Sequence, residues 1–87
     1  MTTDTRNSHP QIAARLKRAH GHLAKVIQML DDQAPPSDIA QQLFAVEKAI
    51  AIAKRVLIHD HIEQCLSSDS QGNPPEIEDF KTITKYL

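Results

Sequence analysis

The sequence predicts an all-α fold: an antiparallel hairpin of two long helices plus a short C-terminal helix, in a single domain of 87 residues. Three observations carry that expectation. Apolar residues recur in alternating steps of four and three along two long segments, the spacing of helices packed at a shallow angle. Each expected helix opens on a Ser or Asn within two residues of a proline, which is the chemistry of a helix start. Two glycines and three aromatic residues, with no Trp, are too few for a turn-rich β sandwich or a phosphate-cradling loop. The helices are expected over roughly 9–32, 37–66 and 74–87, behind a polar tail of residues 1–7.

Ser8-His9-Pro10-Gln11 opens the first helix, with Ser8 as N-cap, Pro10 in the first turn and Gln11 completing a capping box. Ile12, Leu16, Ala19, Leu23, Val26 and Leu30 then form a heptad seam. Pro35-Pro36 ends this helix, because proline can neither continue a helix nor leave its predecessor helical. Ser37 is the expected cap of the second helix, whose seam runs Ile39, Leu43, Val46, Ile50, Ala53, Leu57. A second stripe, Ala45, Ala49, Ile52 and Val56, makes this helix apolar over about half its circumference, more than one partner helix covers. Other copies of the chain are the expected cover. The segment from Ser37 to Leu66 is free of glycine and proline and should run about 45 Å. A polar linker, Ser67 to Gly72, precedes the third helix, capped by Asn73 with Glu76 at the third position and carrying Ile77, Phe80, Ile83, Thr84 and Leu87.

Composition narrows the function classes. The longest apolar run, Ala49 to Ala53, is far below the roughly 18 residues of a membrane span, and Met1 to Ser8 has no apolar stretch of a signal peptide. A single cysteine makes no internal disulfide, which points to a reducing cytoplasm. The net charge of −1 conceals a division: residues 1–30 carry five cations and one anion, residues 31–87 five cations and ten anions. Arg15, Arg18, His22 and Lys25 fall within an arc of about 80° on the first helix, flanking its seam. Lys48 and Arg55, seven apart, form a comparable pair on the second helix. Such a surface suits phosphates, and equally serves as a solvated helix face. No aromatic residue interleaves with the cations, so stacking on single strands is not expected.

His59-Asp60-His61-Ile62-Glu63-Gln64-Cys65 is the one dense cluster of ligand-type side chains. His61 and Cys65, four apart, share a helix face, and an imidazole with a thiolate suits Cu(I), Zn(II) or Ni(II) better than Mg(II) or Ca(II). The same residues also fit a helix C-terminus, where histidines meet the negative end of the dipole and a cysteine packs. His20-Gly21-His22 is a smaller cluster, and its mid-helix glycine is explained by a close helix approach. The chain offers no oxyanion loop, no group to orient a Cys/His nucleophile and little room for a substrate cleft, so an enzyme is not expected.

Arg15-Leu16-Lys17-Arg18-Ala19-His20-Gly21-His22-Leu23 is similar to the first-helix motif of the bacterial copper-sensing operon repressor family, which includes nickel/cobalt, formaldehyde and persulfide sensors. Gln42-Leu43-Phe44-Ala45-Val46 and His59 to Cys65 resemble its second-helix motifs, and Tyr86-Leu87 its C-terminal end. The resemblance implies an antiparallel dimer forming a four-helix bundle, and a disc-shaped dimer of dimers. It also implies a repressor that binds double-stranded operator DNA through cations on the first two helices and lets go when an inducer binds. DNA contact then falls to Arg15, Lys17, Arg18 and Lys25, with Lys48 and Arg55 after them. A transition metal, Cu(I) first and Zn(II) or Ni(II) next, falls to His61 and Cys65, with His59 and His22 as auxiliary candidates.

The chain departs from the family at one telling place. Members carry a cysteine near the start of the second helix, and that position is Pro36 here, which has no donor atom. In the copper sensors that cysteine joins the histidine and cysteine matched by His61 and Cys65, so the trigonal set is incomplete. Nickel/cobalt and formaldehyde sensing use the same cysteine, and persulfide sensing needs two thiols where this chain has one. A usual basic residue is also replaced by Glu47, with Lys48 following. The alternative function is therefore an oligomeric helical interaction module, or a constitutive DNA binder without effector sensing.

Overall fold

The computed structural model describes residues 8–67 and 74–87, with the side chains of 65–67 and 74–77 outside that description. Helix α1 spans His9–Asp31 and α2 Pro36–Ser67; α3 spans Pro74–Ile83 and runs into a 3₁₀ turn, Thr84–Tyr86. The two long helices pack together, α3 packs on α2, and no strand is present among the described residues. The all-α hairpin is thus as the sequence predicts.

Local chemistry differs from expectation at each start that the structure describes. Ser8 occupies the N-cap position of α1 but keeps helical dihedrals (φ −84°, ψ −15°), so its side chain makes no capping hydrogen bond. A capping residue must leave the helical region to aim its hydroxyl at the first N–H groups, and Ser8 does not. The capping box with Gln11 is therefore not formed, while Pro10 does sit in the first turn. At α2 the helix begins at Pro36, one residue before the expected cap Ser37. The carbonyl of Pro35 accepts from the N–H groups of Asp38 (3.0 Å) and Ile39 (3.1 Å), so Pro36 takes the first helical position, where its missing N–H costs nothing. The expected cap Asn73 lies outside the described residues. Thr84 Oγ1 donates to the carbonyl of Lys81 (2.6 Å), and the last turn tightens to 3₁₀ where a continuous α-helix to Leu87 was expected.

The turn between the long helices rests on Gln33. Its φ of +57° is the only positive value among described non-glycine residues. This left-handed residue lets Gln33 N–H reach the carbonyl of Leu30 (3.1 Å) and Ala34 N–H that of Met29 (2.9 Å). Those two bonds are a Schellman motif, and the apolar contact that accompanies it is supplied by Met29 and Ala34 against the Val26, Ile39, Val46 cluster.

The core is a single line of contact. Ile12, Ala19 and Val26 are buried on α1, Ile39, Val46 and Ala53 on α2. A hydrogen bond joining His22 to Gln42 (2.6 Å) marks the antiparallel register, which sets Val26 opposite Ile39, Ala19 opposite Val46 and Ile12 opposite Ala53. Large faces small in the last two layers, so the axes can close. The seam is therefore split. The residues four further on, Leu16, Leu23 and Leu30, and Leu43, Ile50 and Leu57, stay exposed, Leu30 at 56%. Four residues turn a helix by about 40° beyond a full turn, and two helices in contact cannot cover both positions. The uncovered apolar surface thus lies on the seam itself as well as on the second stripe, where Ala49 and Val56 are half-buried and Ala45 and Ile52 exposed. Ile58 is buried near the end of α2, the helix on which α3 packs.

Gly21 lies midway along α1, nine residues from Ile12 and so on the face turned away from α2. A Cβ built on it would meet nothing within 4 Å, so the close helix approach expected of it is not made among the described residues.

Replacing Gln33 with Gly should stabilise the chain by about 0.5–1 kcal/mol, because a non-glycine residue is strained in the left-handed region. A higher urea midpoint with an unchanged slope is expected; a lower midpoint would mean that the Gln33 side chain contributes more than its backbone strain costs.

Candidate nucleic-acid interface and effector site

From His9 to Asp31, α1 carries the cations Arg15, Lys17, Arg18 and Lys25, and its one carboxylate is the last residue. All four cations are exposed. Helical spacing explains the grouping: Arg15, Arg18, His22 and Lys25 are three or four residues apart and so follow one side of the helix, beside the buried Ile12, Ala19, Val26 line. With its cations unopposed until its C-terminus, α1 presents a field of a single sign.

Arg15 and Arg18 line a shallow cavity of about 200 Å³ with Ala19 and His22 from the same helix and Ala49 and Ile52 from α2. The His22–Gln42 hydrogen bond fixes this side of α1 against α2. Lys48 and Arg55 are exposed on α2 away from that cavity. Lys48 Nζ lies 5.4 Å from the centroid of the Phe44 ring, a cation–π pair one turn apart. Arg55 lines another cavity, about 380 Å³, with Ala51, Lys54, Ile58, His59 and Leu87. The structure therefore brings Arg15, Arg18 and His22 together, keeps Lys17 and Lys25 on the same helix, and holds Arg55 elsewhere.

At the end of α2, His61 Nε2 donates to Asp79 Oδ2 of α3 at 2.7 Å. Asp79 is 62% exposed, so this contact is a modest staple of α3 rather than a stability determinant. His59, two residues before His61, faces the cavity that holds Arg55. His22 pairs with Gln42, and about 28 Å of α2 separates Gln42 from His61, so His22 does not join His61 within one chain. Cys65 follows His61 by one turn of α2, and its side chain lies outside the described residues. Among the described residues, no three His, Cys, Asp or Glu side chains converge as a metal site. Pro36, at the first position of α2, brings no donor.

Two functional contacts escaped sequence reasoning. Gln42 sits in a motif but gave no sign of pairing with His22, and Asp79 reaches His61 only because α3 folds back on α2.

The fold and these side chains define a small helical protein whose first helix carries a one-signed cationic face. The pattern described as metal-sensitive transcriptional repressor matches residues 8–86, and the chain belongs to that family. The copper-sensing transcriptional repressor CsoR of Mycobacterium ulcerans (strain Agy99) is 44% identical over 54 residues, which is 62% of this chain and 46% of that protein. Its counterparts in Mycobacterium bovis (strain BCG / Pasteur 1173P2) and Mycobacterium tuberculosis (strain ATCC 25618 / H37Rv) are each 39% identical over 75 residues, 83% of this chain and 62% of theirs. The chain thus spans between about half and three-fifths of the length of these relatives. They are regulators rather than enzymes. No solved structure gives a significant match. No helix among the described residues is long and apolar enough to cross a membrane.

A double-mutant cycle of His22→Ala and Gln42→Ala should return a coupling of about 1 kcal/mol in unfolding free energy, the usual net worth of a half-buried hydrogen bond. Additive losses would show that the two side chains do not hold the register.

Proposed function

We propose that this chain is a cytoplasmic transcriptional repressor that binds double-stranded operator DNA as a homo-oligomer, a dimeric four-helix bundle or a pair of them. The observation that carries the reading is the one-signed face of α1, on which Arg15, Lys17, Arg18 and Lys25 have no carboxylate among them. Lys48 and Arg55 extend the cationic surface on α2. Readout is of phosphates and duplex shape more than of base edges, since no helix has the form of a dedicated recognition helix. The copper-sensing repressors of the mycobacterial relatives support the same function.

The exposed half of the seam supports the oligomer. Covering the exposed half of a leucine is worth about 1 kcal/mol, so the six uncovered seam residues of two chains offer roughly 12 kcal/mol gross. That is comparable with the roughly 4–15 kcal/mol that association costs.

Response to an inducer is assigned to the end of α2, with His61 and Cys65 as its two donors. Cu(I) is the first candidate, then Zn(II) or Ni(II), because a thiolate with an imidazole suits these ions. Two donors do not hold a metal tightly, so a third comes from elsewhere in the chain or from another copy. Pro36 favours a second reading, a constitutive DNA binder, because it stands where a sensor of this family carries a cysteine.

Fluorescence anisotropy of the duplex upstream of the gene tests both parts. Binding should weaken by about 10³-fold or more between roughly 50 and 200 mM salt. Little change would indicate an apolar protein-binding module instead. Release of the duplex by Cu(I), abolished by Cys65→Ser, would establish metal sensing, whereas a complex indifferent to Cu(I), Zn(II) and Ni(II) would establish the constitutive binder.

A further inference from the structure

We propose that Gly21 is the point at which the backbone of α1 itself abuts the DNA phosphodiester chain, an inference that rests on the DNA-binding reading and adds a positioning residue to it. Glycine in a helix interior is clearly less favourable than alanine, and such a position needs a steric reason. The described residues supply none: a Cβ at Gly21 would meet none of their atoms within 4 Å. The reason therefore lies in something that docks on this face from outside.

The surroundings of Gly21 identify the occupant. Lys17 precedes it by four residues and Lys25 follows it by four, so these two exposed cations border it on either side, while Arg18, three residues before it, faces the groove with α2. The Cα–Cβ bonds of a helix tilt toward its N-terminus, which sets Lys25 over the turn that holds Gly21. Ala14, seven residues before, lies along the same line and is also exposed. The outer face of α1 is thus a shallow floor of Ala14 and Gly21 between cationic side chains, with no carboxylate before Asp31. A second copy docking the same face symmetrically would bring like charges together. A phosphate backbone is complementary to it, and on a floor without a Cβ the ammonium groups of Lys17 and Lys25 can close on the phosphate oxygens from both sides.

Gly21→Ala moves folding and binding in opposite directions, which makes the proposal testable. Unfolding by urea should show a folding equilibrium about fivefold more favourable than that of the wild-type chain, the ordinary gain of Ala over Gly in a helix. Affinity for the upstream duplex, by anisotropy, should fall about tenfold, and further in Gly21→Leu, as the added side chain holds the helix off the backbone. The dependence of log affinity on log salt should keep its slope in Gly21→Ala, since no cation is lost, but should shrink by about one unit in Lys25→Ala. Unchanged or tighter binding by both Gly21 variants would overturn the proposal. So would a change in their oligomeric state by sedimentation, which would make a second copy the occupant. A wild-type chain that shows no salt-dependent duplex binding would overturn the DNA reading, and this inference with it, before any variant is compared.

Discussion

Each long helix of this chain carries twice the apolar seam that the other can cover, and most of the structure follows from that mismatch. Ile12, Ala19 and Val26 meet Ile39, Val46 and Ala53 along one line, while the residues four further on remain at the surface. The described residues measure 56 × 29 × 15 Å, a slab about one helix thick. A slab has no second layer against which to bury leucines, and a domain needs at least two. The same mismatch accounts for the small residues in the contact line: with Ala19 and Ala53 facing larger partners, the hairpin closes tightly on little apolar volume. It is half of a core, and the proposed oligomer is the other half.

The seam also fixes what is left for function. Once α1 turns Ile12, Ala19 and Val26 toward α2 and Leu16, Leu23 and Leu30 toward the uncovered side, the rest of its circumference is free for polar groups, and the charged ones before Asp31 are all cations. The His22–Gln42 hydrogen bond lies between packing line and cations and sets the register in which Arg15 and Arg18 face the groove between the helices. Gly21 is at the far pole of the same helix, so packing and proposed docking use opposite faces. The end of α2 is organised differently, with α3 folded against it and Asp79 bonded to His61.

Much of the fold was legible because its determinants are periodic and local. Steps of four and three identified both long helices, and the Pro35-Pro36 pair placed the turn. The split of the seam was not legible, since Leu16 and Ile12 look alike in sequence and only the register decides which is buried. Nor was the turn's chemistry: a left-handed residue is usually announced by Gly or Asn, and here it is Gln33. Ser8 carried a capping signature, yet its helical dihedrals prevent it from capping. For the site, the α1 cations and the His61, Cys65 spacing were visible as helix-face patterns. Gln42 and Asp79, the partners of His22 and His61, were not, because each comes from an element brought alongside by tertiary packing.

The claim on which the rest depends is that the hairpin completes its core with another copy of itself, and sedimentation equilibrium at micromolar concentration tests it most directly. A dimer or a pair of dimers is predicted, with Leu23→Asp shifting it toward monomer and lowering the cooperativity of unfolding, because a charge placed on the uncovered seam cannot be buried. A wild-type chain that sediments as a monomer and unfolds cooperatively with a midpoint independent of concentration would contradict it.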